Sequence, residues 1–209
     1  HNGTNMSEIQ AVLFDYGGVL AEEGFSNTLE ALAKEQSLPV ENMTAEAMQA
    51  VYDSGFVLGR GSESDFWKQL RERTGLSGDD SYMRARIFDG FIIRPWMLEL
   101  VAQLKAKGYV TGILSDQTDW LDRLDSRDHF YQYFDRVYNS YYLGKGKRDP
   151  SHFGDVASDL DLDPTAVLFI DDSKKNVTTA IAAGMHAIQY IDPESFIKAL
   201  KDALGIELI

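Results

Sequence analysis

Short runs of consecutive apolar residues recur along the chain and predict the strands of a buried sheet. The four clearest runs are AVLF at 11–14, VTGIL at 110–114, VLFI at 167–170 and HAIQYI at 186–191, and RVYNS at 136–140 is a weaker fifth. Strands of a parallel sheet are covered by helices on both faces, and they are therefore apolar throughout rather than alternating. The pattern predicts a parallel sheet built from these runs.

Stretches with helical spacing lie between the apolar runs, at 95–108, 149–162 and 173–185. The first of them has a proline near its start and a lysine followed by a glycine at its end, which are typical boundary residues of a helix. Alternation of strands and helices is typical of a doubly wound parallel sheet, and we therefore predict an α/β, Rossmann-like fold.

Residues 21–92 interrupt this alternation, because they show helical periodicity and no convincing strand. We therefore predict an α/β core domain formed by residues 8–20 and 93–209, and a small all-helical cap domain formed by residues 21–92. An insertion directly after the first strand lies over the carboxyl end of that strand, where open α/β sheets bind their ligands.

Composition narrows the classes of function. The 209 residues include 33 acidic and 20 basic side chains, giving a formal net charge of −13. This charge argues against partners such as nucleic acid or an anionic membrane surface, which require basic patches, but it does not exclude a small anionic substrate in a locally positive pocket.

Other features of the composition bear on location. The chain has no cysteine, which excludes disulfides, thiolate metal sites and a cysteine nucleophile. No apolar run approaches the roughly 18 residues that span a membrane, and no signal peptide is recognisable at the polar N-terminus. We expect a cytoplasmic protein that acts as a monomer or a homodimer.

Polar side chains directly follow the predicted strands. These are Asp15 after the first run, Ser115 and Asp116 after VTGIL, Lys145, Lys147 and Arg148 beyond RVYNS, and Asp171 and Asp172 after VLFI. Each alone is more often a helix cap or a solvated charge. Because the carboxyl ends of parallel strands meet at one edge of the sheet, the joint placement predicts a single site.

Such a cluster suits phosphoryl transfer. Three crowded carboxylates favour a hard cation with oxygen ligands, most naturally Mg²⁺. Asp15, which ends a run that should be buried, can attack a phosphate and form an aspartyl phosphate. A serine hydroxyl and backbone N–H groups can hold the phosphoryl oxygens, and a lysine can neutralise the developing charge.

The motifs resemble those of the haloacid dehalogenase-like hydrolase superfamily, whose members are mostly Mg²⁺-dependent phosphatases. FDYGGVL, ILSDQT, YLGKGKRDPSHF and VLFIDDSKKNV resemble its four motifs in turn, within a region from about Ile9 to Asp192. The resemblance is to the branch with a helical cap inserted after the first motif. It implies a phosphatase acting on a small phosphorylated metabolite.

The resemblance also implies the parts played by individual residues. Asp15 becomes the nucleophile and a metal ligand, and the carbonyl of Gly17 is another ligand. Ser115 and Lys147 become catalytic and phosphate-binding residues, and we assign Asp116 to phosphate binding with them. The remaining metal ligands are Asp171 and Asp172, of which Asp172 is the more direct.

Gly17 departs from the family pattern, which has there a second aspartate that acts as the general acid/base. Loss of general acid–base catalysis typically costs about 10²–10⁴-fold in rate. An activated leaving group, a water relay or an acid from elsewhere would compensate, and Asp116 is one candidate for that acid.

This departure keeps two alternatives open. One is a dehalogenase-type hydrolase in which Asp15 attacks carbon, although that chemistry needs no metal and the acid pair at 171 and 172 counts against it. The other is a phosphate-binding protein that has lost turnover. A phospho-relay receiver domain gathers similar residues, but its acid pair follows the first strand and no cap interrupts its chain.

Three further residues, Arg60, Arg148 and Trp120, have two interpretations each. Arg60, flanked by glycines in LGRGS, would close over an anionic substrate or lie on the surface, and the surface position is the more frequent. Arg148 stands where the family has a proline, and it adds positive charge to the site or belongs to the surface. Phe66 and Trp67 are expected in the core of the cap, and Trp120 is expected to pack rather than to line the pocket.

Overall fold

A five-stranded parallel sheet forms the centre of the molecule in the computed structural model, which describes residues 8–209. The polar N-terminus, in which no signal peptide is recognisable, lies partly outside residues 8–209. The strands are β1 (Ala11–Phe14), β2 (Val110–Ser115), β3 (Arg136–Asn139), β4 (Val167–Asp171) and β5 (His186–Gln189), in the spatial order β3-β2-β1-β4-β5. All four pairings are parallel, and the predicted α/β fold is confirmed.

Two strands are shorter than predicted, because polar side chains begin helices at their ends. Asn139 ends β3, since its side chain accepts a hydrogen bond from the backbone N–H of Tyr141 and caps the next helix. β5 ends at Gln189, and shortly afterwards Asp192 caps the last helix by accepting from the N–H of Ser195.

Six helices accompany the sheet after the insertion. They are α5 (Pro95–Ala106), α6 (Trp120–Asp128), α7 (Ser140–Leu143), α8 (Ser151–Asp159), α9 (Lys174–Ala182) and α10 (Pro193–Leu204). α5, α8 and α9 correspond to the predicted helical stretches. No helix that residues 8–209 form is long and apolar enough to cross a membrane.

Both faces of the central strand β1 are buried, as its apolar run predicted. In β1, Val12 and Phe14 belong to one hydrophobic core, whereas Ala11 and Leu13 belong to a second core on the opposite face. All four side chains are completely buried. The strand has no polar position because it has no solvent-facing side.

Four helices form the insertion between β1 and α5, namely α1 (Gly24–Glu35), α2 (Met43–Asp53), α3 (Glu63–Thr74) and α4 (Asp80–Gly90). Phe66 and Trp67 are completely buried, which confirms their predicted place in its core. The division of the chain into two domains at residues 20 and 93 stays a prediction, and we call residues 21–92 the helical insertion.

The two connections between the sheet and the helical insertion run side by side. The backbone N–H of Glu22 donates to the carbonyl of Ile92, and the N–H of Arg94 donates to the carbonyl of Leu20, both at 2.8 Å. The guanidinium of Arg94 also pairs with the carboxylate of Glu22 at 2.9 Å. The insertion therefore enters and leaves at one place, directly above the end of β1.

Candidate active site

The carboxyl ends of three neighbouring strands bring the predicted site residues together. Phe14 at the end of β1 pairs with Ile113 of β2 and with Ile170 of β4, so the residues that follow lie level with one another. The backbone N–H of Asp15 continues this pairing by donating to the carbonyl of Ile170 at 2.9 Å.

Three carboxylates meet at this edge. Asp15, Asp171 and Asp172 each offer a carboxylate oxygen, and these oxygens lie within 4.8 Å of one another. The backbone of the first motif makes room for this approach, because Gly18 has a φ of +83° and a Cβ added there would lie 2.2 Å from Oδ2 of Asp172. Three oxygen donors held this closely fit a hard divalent cation such as Mg²⁺.

The electrostatics of the cluster agree with that fit. Burial, reinforced by the charge of Asp171, raises the pKa of Asp15 well above its ordinary value. Burial and the same neighbour raise the pKa of Asp172 to about 7. The cluster therefore carries more negative charge than its surroundings neutralise, and a bound divalent cation would relieve the repulsion.

Lys147 supplies the one buried ammonium of the cluster within residues 8–209. Its Nζ lies 3.1 Å from Oδ1 of Asp15 and 2.8 Å from Oδ2 of Asp171, and its side chain is only 3% exposed. Burial alone would lower the pKa of Lys147, but the charges of Asp15 and Asp171 raise it. Burial opposes ionisation of Asp171 too, yet Lys147 holds the pKa of that carboxyl below its usual value.

Asp116 anchors the loop that carries this lysine. Its two carboxylate oxygens accept from the backbone N–H of Lys147 at 3.0 and 3.1 Å, and Oδ2 also accepts from the hydroxyl of Tyr52 in α2. A Cβ at Gly146 would lie 2.9 Å from both oxygens, so the loop needs glycine there. The predicted parts of Asp116 in phosphate binding and as a substitute acid stay predictions.

A cavity of about 420 Å³ lies between the sheet edge and the helical insertion. The sheet side contributes the predicted site residues Asp15, Gly17, Ser115, Asp116, Lys147, Asp171 and Asp172. The insertion contributes a largely apolar wall of Phe25, Thr44, Met48, Val51 and Tyr52. The structure thus brings all seven predicted residues to one cavity, while their individual parts stay predictions.

The two arginines with open interpretations lie in different places. Arg60 donates to the carbonyl of Gly144 at 2.9 Å and is not among the residues that line the cavity, so it ties the helical insertion to the loop that follows α7. Arg148 does line the cavity, and its guanidinium carbon lies 3.5 Å from the ring centroid of Tyr52. Arg148 therefore adds positive charge at the site.

Trp120 packs as expected and also borders the cavity. It is 2% exposed and contacts the rings of Phe66 and Trp67, and its indole N–H donates to Glu63 in α3 at 2.8 Å. Trp120, at the start of α6, is therefore part of the contact between the sheet and the helical insertion.

Several polar residues that line the cavity were not predicted, among them Asn176, Tyr52 and Glu23. Asn176 donates to Oδ2 of Asp171 at 3.1 Å, Tyr52 bonds to Asp116, and Glu23 borders the cavity at the start of α1. Asn176 lies within the fourth motif, so its spacing from Asp171 could have indicated it. Tyr52 and Glu23 belong to the insertion, whose packing onto the sheet the periodicity does not define.

Comparison with known proteins places the chain among hydrolases. Residues 9–184 match a family model described as haloacid dehalogenase-like hydrolase, and all four sequence motifs lie inside that range. The chain is 27% identical to bifunctional epoxide hydrolase 2 of Rattus norvegicus over 223 residues, which cover 95% of this chain and 39% of that protein. The chain therefore spans about two fifths of the length of that relative.

Two further matches extend over nearly the whole of both chains. The sesquiterpene phosphatase astK of Aspergillus oryzae is 24% identical, covering 94% of this chain and 97% of that protein. A HAD family enzyme from Bacteroides thetaiotaomicron, solved in complex with magnesium, has a TM-score of 0.73 at 23% identity, covering 93% of this chain and 100% of that one. The structural likeness shows a shared fold.

Proposed function

Because the chain belongs to the haloacid dehalogenase-like hydrolase family, we propose that it is a phosphatase that cleaves a small phosphate monoester through a phosphorylated Asp15. The observation that carries this proposal is the contact of the Asp15 carboxylate with Lys147 beside two further acids, all lining one cavity. This is the arrangement that a carboxylate nucleophile, a cation and a phosphate require together.

The comparisons support the same chemistry. The relative from Aspergillus oryzae is named a phosphatase, and the enzyme from Bacteroides thetaiotaomicron has also been solved with magnesium and inorganic phosphate. The cavity of about 420 Å³ has the size of a small-molecule site, which favours a metabolite over a macromolecular substrate.

In the first step, a carboxylate oxygen of Asp15 forms a bond to phosphorus while the bond from phosphorus to the leaving oxygen breaks. The ammonium of Lys147 offsets the charge of the nucleophile and of the transferring group. The hydroxyl of Ser115, which is buried at the end of β2, and nearby backbone N–H groups hold the phosphoryl oxygens. Water then cleaves the acyl phosphate and returns Asp15 to the carboxylate form.

The metal would be held by Asp15, Asp171, Asp172 and the carbonyl of Gly17. When bound, Mg²⁺ neutralises charge on the phosphoryl group and on the carboxylates around it. Three acids beside a single buried lysine favour a reaction that uses a metal ion over the attack on carbon by a dehalogenase, which needs no metal. Phosphatase activity is therefore favoured over the dehalogenase alternative.

Phosphate release from an aryl phosphate tests the proposal, measured with Mg²⁺ and with a chelator for the wild type and for Asp15→Asn. Asp161→Asn is a matched control, because Asp161 is exposed and has a φ of +56°, a conformation that asparagine adopts readily.

The proposal expects Mg²⁺-dependent release that Asp15→Asn abolishes and Asp161→Asn leaves unchanged. Release of halide from a haloacid without metal would overturn it in favour of the dehalogenase. Binding of phosphate without any turnover would overturn it in favour of a binding protein. With activity established, a panel of phosphorylated sugars, nucleotides and acids would identify the substrate.

A further inference from the structure

Hydrolysis of a phosphorylated aspartate requires a group that exchanges protons with the leaving oxygen and with the attacking water. Five carboxylates line the cavity, namely Asp15, Glu23, Asp116, Asp171 and Asp172. Asp15 is the proposed nucleophile, Asp171 pairs with Lys147, and Asp172 completes the acid cluster. Asp116 already accepts from Tyr52 and twice from the Lys147 backbone, which leaves Glu23 without an assigned part.

Glu23 lies where the first motif lacks a side chain. A Cβ added to Gly17 would lie 3.6 Å from Oε1 of Glu23 and 3.8 Å from its Cγ. The same Cβ would lie 3.2 Å from Cε1 of Phe91, which closes the space from another side. The carboxylate of Glu23 therefore borders the volume into which an acidic side chain at position 17 would extend.

The Glu23 carboxylate is held in place by the helix that it caps. Oε1 accepts from the N–H of Phe25 at 3.0 Å, and Oε2 accepts from the N–H of Ser26 at 2.7 Å. A carboxylate has about four acceptor sites, so two remain available for a water or a leaving group. No ion pair within residues 8–209 involves this carboxylate, and its half-buried position borders the cavity.

We propose that Glu23 is the acid/base of the phosphatase reaction, a role that rests on the function proposed above. In the first step the protonated carboxyl gives its proton to the leaving oxygen as the bond from that oxygen to phosphorus breaks. In the second step the carboxylate takes a proton from water while the water oxygen bonds to phosphorus. The bond from phosphorus to Asp15 then breaks, its electron pair returns to Asp15, and inorganic phosphate leaves.

This assignment ties proton transfer to the position of the helical insertion. Glu23 follows directly on the connection in which Glu22 donates to the carbonyl of Ile92, whereas Asp15 is fixed to the sheet. The nucleophile thus belongs to the sheet, and the acid/base belongs to the helical insertion. Hydrolysis of the phosphorylated Asp15 therefore requires that the helical insertion packs against the sheet edge.

Two substitutions test this role. Glu23→Gln preserves the shape of the side chain, and Glu23→Ser removes the acid while keeping a good N-cap for α1. Ser62→Ala is the matched control for a lost cap, because Ser62 caps α3 by accepting from the N–H of Asp65 at 3.0 Å and lies outside the cavity lining.

Steady-state release is measured with p-nitrophenyl phosphate and with an alkyl phosphate, and acid-quenched samples are assayed for phosphorylated Asp15. Both Glu23 variants should lose about 10²–10⁴-fold in turnover, more for the alkyl phosphate because its leaving group needs the proton most. With p-nitrophenyl phosphate, the phosphorylated enzyme should accumulate after an initial burst of p-nitrophenol. Ser62→Ala should keep the wild-type turnover.

A second carboxylate in the same volume should restore the reaction. Gly17→Asp in the Glu23→Gln background should recover part of the lost turnover, because the new carboxylate at position 17 reaches the same volume from the sheet.

The outcomes separate this role from the proposed function. A wild-type protein without Mg²⁺-dependent release overturns the phosphatase proposal and the role of Glu23 with it. An active wild type whose Glu23→Gln and Glu23→Ser variants turn over both substrates equally fast overturns the role of Glu23 alone. That role is also overturned if both variants lose activity equally on the two substrates and no phosphorylated enzyme accumulates.

Discussion

The ammonium of Lys147 lies 3.1 Å from the carboxylate of Asp15, and the lysine side chain is almost completely buried. This contact joins the third motif to the first across the sheet edge. A buried charge keeps its charged form only when it is paired, so the ammonium of Lys147 and the carboxylates of Asp15 and Asp171 that it contacts depend on one another.

Lys147→Met should therefore destabilise the metal-free protein as well as abolish turnover. Removal of one partner from a buried ion pair costs about 3–5 kcal/mol, because the other charge stays buried and unpaired. Urea unfolding in the presence of a chelator measures this cost. Lys145→Met is the matched control, since Lys145 pairs with Asp155 on the surface and its loss should change the free energy of unfolding far less. Equal effects of the two substitutions would contradict the account.

The stability of the metal-free protein should fall as the pH rises through neutrality. Burial and the charge of Asp171 raise the pKa of Asp172 from 3.8 to about 7 in the folded state. A group whose folded pKa is raised contributes stability that is fully present below its unfolded pKa and is lost as the pH rises through the folded value. For Asp172 that loss falls between about pH 4 and pH 8.

Mg²⁺ should reverse this loss, because it favours the ionised carboxylates. Thermal unfolding at about pH 5 and about pH 8, with a chelator or with Mg²⁺, tests both statements together. The expected result is a larger stabilisation by Mg²⁺ at the higher pH. Equal stabilisation at the two values would mean that Asp172 is already ionised in the metal-free protein.

Gly18→Ala should weaken Mg²⁺ binding more than it weakens the fold. The φ of +83° costs alanine about 1–2 kcal/mol, and the new Cβ would also lie 2.2 Å from Oδ2 of Asp172. Gly108→Ala is a matched control, because Gly108 has a φ of +96° and a Cβ there would meet no heavy atom within 4 Å.

Calorimetric titration with Mg²⁺ and urea unfolding compare these two glycine variants. Both should lose a similar free energy from backbone strain, and only Gly18→Ala should lose Mg²⁺ affinity. An unchanged affinity would show that the Asp172 carboxylate does not need the space beside Gly18.

Tyr52→Phe should loosen the helical insertion. The hydroxyl of Tyr52 bonds to the carboxylate of Asp116, and a hydrogen bond to a charged group is worth about 1.5–3 kcal/mol. Tyr109→Phe is a suitable control, since the Tyr109 hydroxyl makes no hydrogen bond to residues 8–209. Urea unfolding should show the loss for Tyr52→Phe only, with a rise in KM. A Tyr52 variant as stable as the Tyr109 variant would contradict the anchoring function of Asp116.

The sequence predicts the central strands well, because burial of both faces makes β1, and β4 up to Asp171, uninterrupted apolar runs. The same reasoning finds Asp15, Ser115 and Asp171, since their places at strand ends follow directly from the strands. Turns between elements were harder to predict. β3 and β5 end early because Asn139 and Asp192 begin helices, which short-range periodicity does not show.

Contacts between the helical insertion and the sheet could not be predicted. Arg60 reaches the carbonyl of Gly144 rather than the cavity, while Glu23 reaches the space beside Gly17. Both contacts depend on how the helical insertion packs on the sheet. The spacing of apolar residues defines which face of a helix is buried, but not which element that face packs against. The contact of Asp116 with Tyr52 could not be predicted either, because the hydrogen bond joins residues that are 64 positions apart in the sequence.

The central claim is that Asp15 attacks phosphorus, and the most direct measurement is peptide mass mapping of the protein quenched in acid during turnover. With an aryl phosphate and Mg²⁺, the account predicts one phosphoryl group on the peptide that contains Asp15, and none when Mg²⁺ is chelated or when Asp15 is replaced by asparagine. Phosphate release by the Asp15→Asn variant at the wild-type rate, without a phosphorylated peptide in either protein, would contradict it.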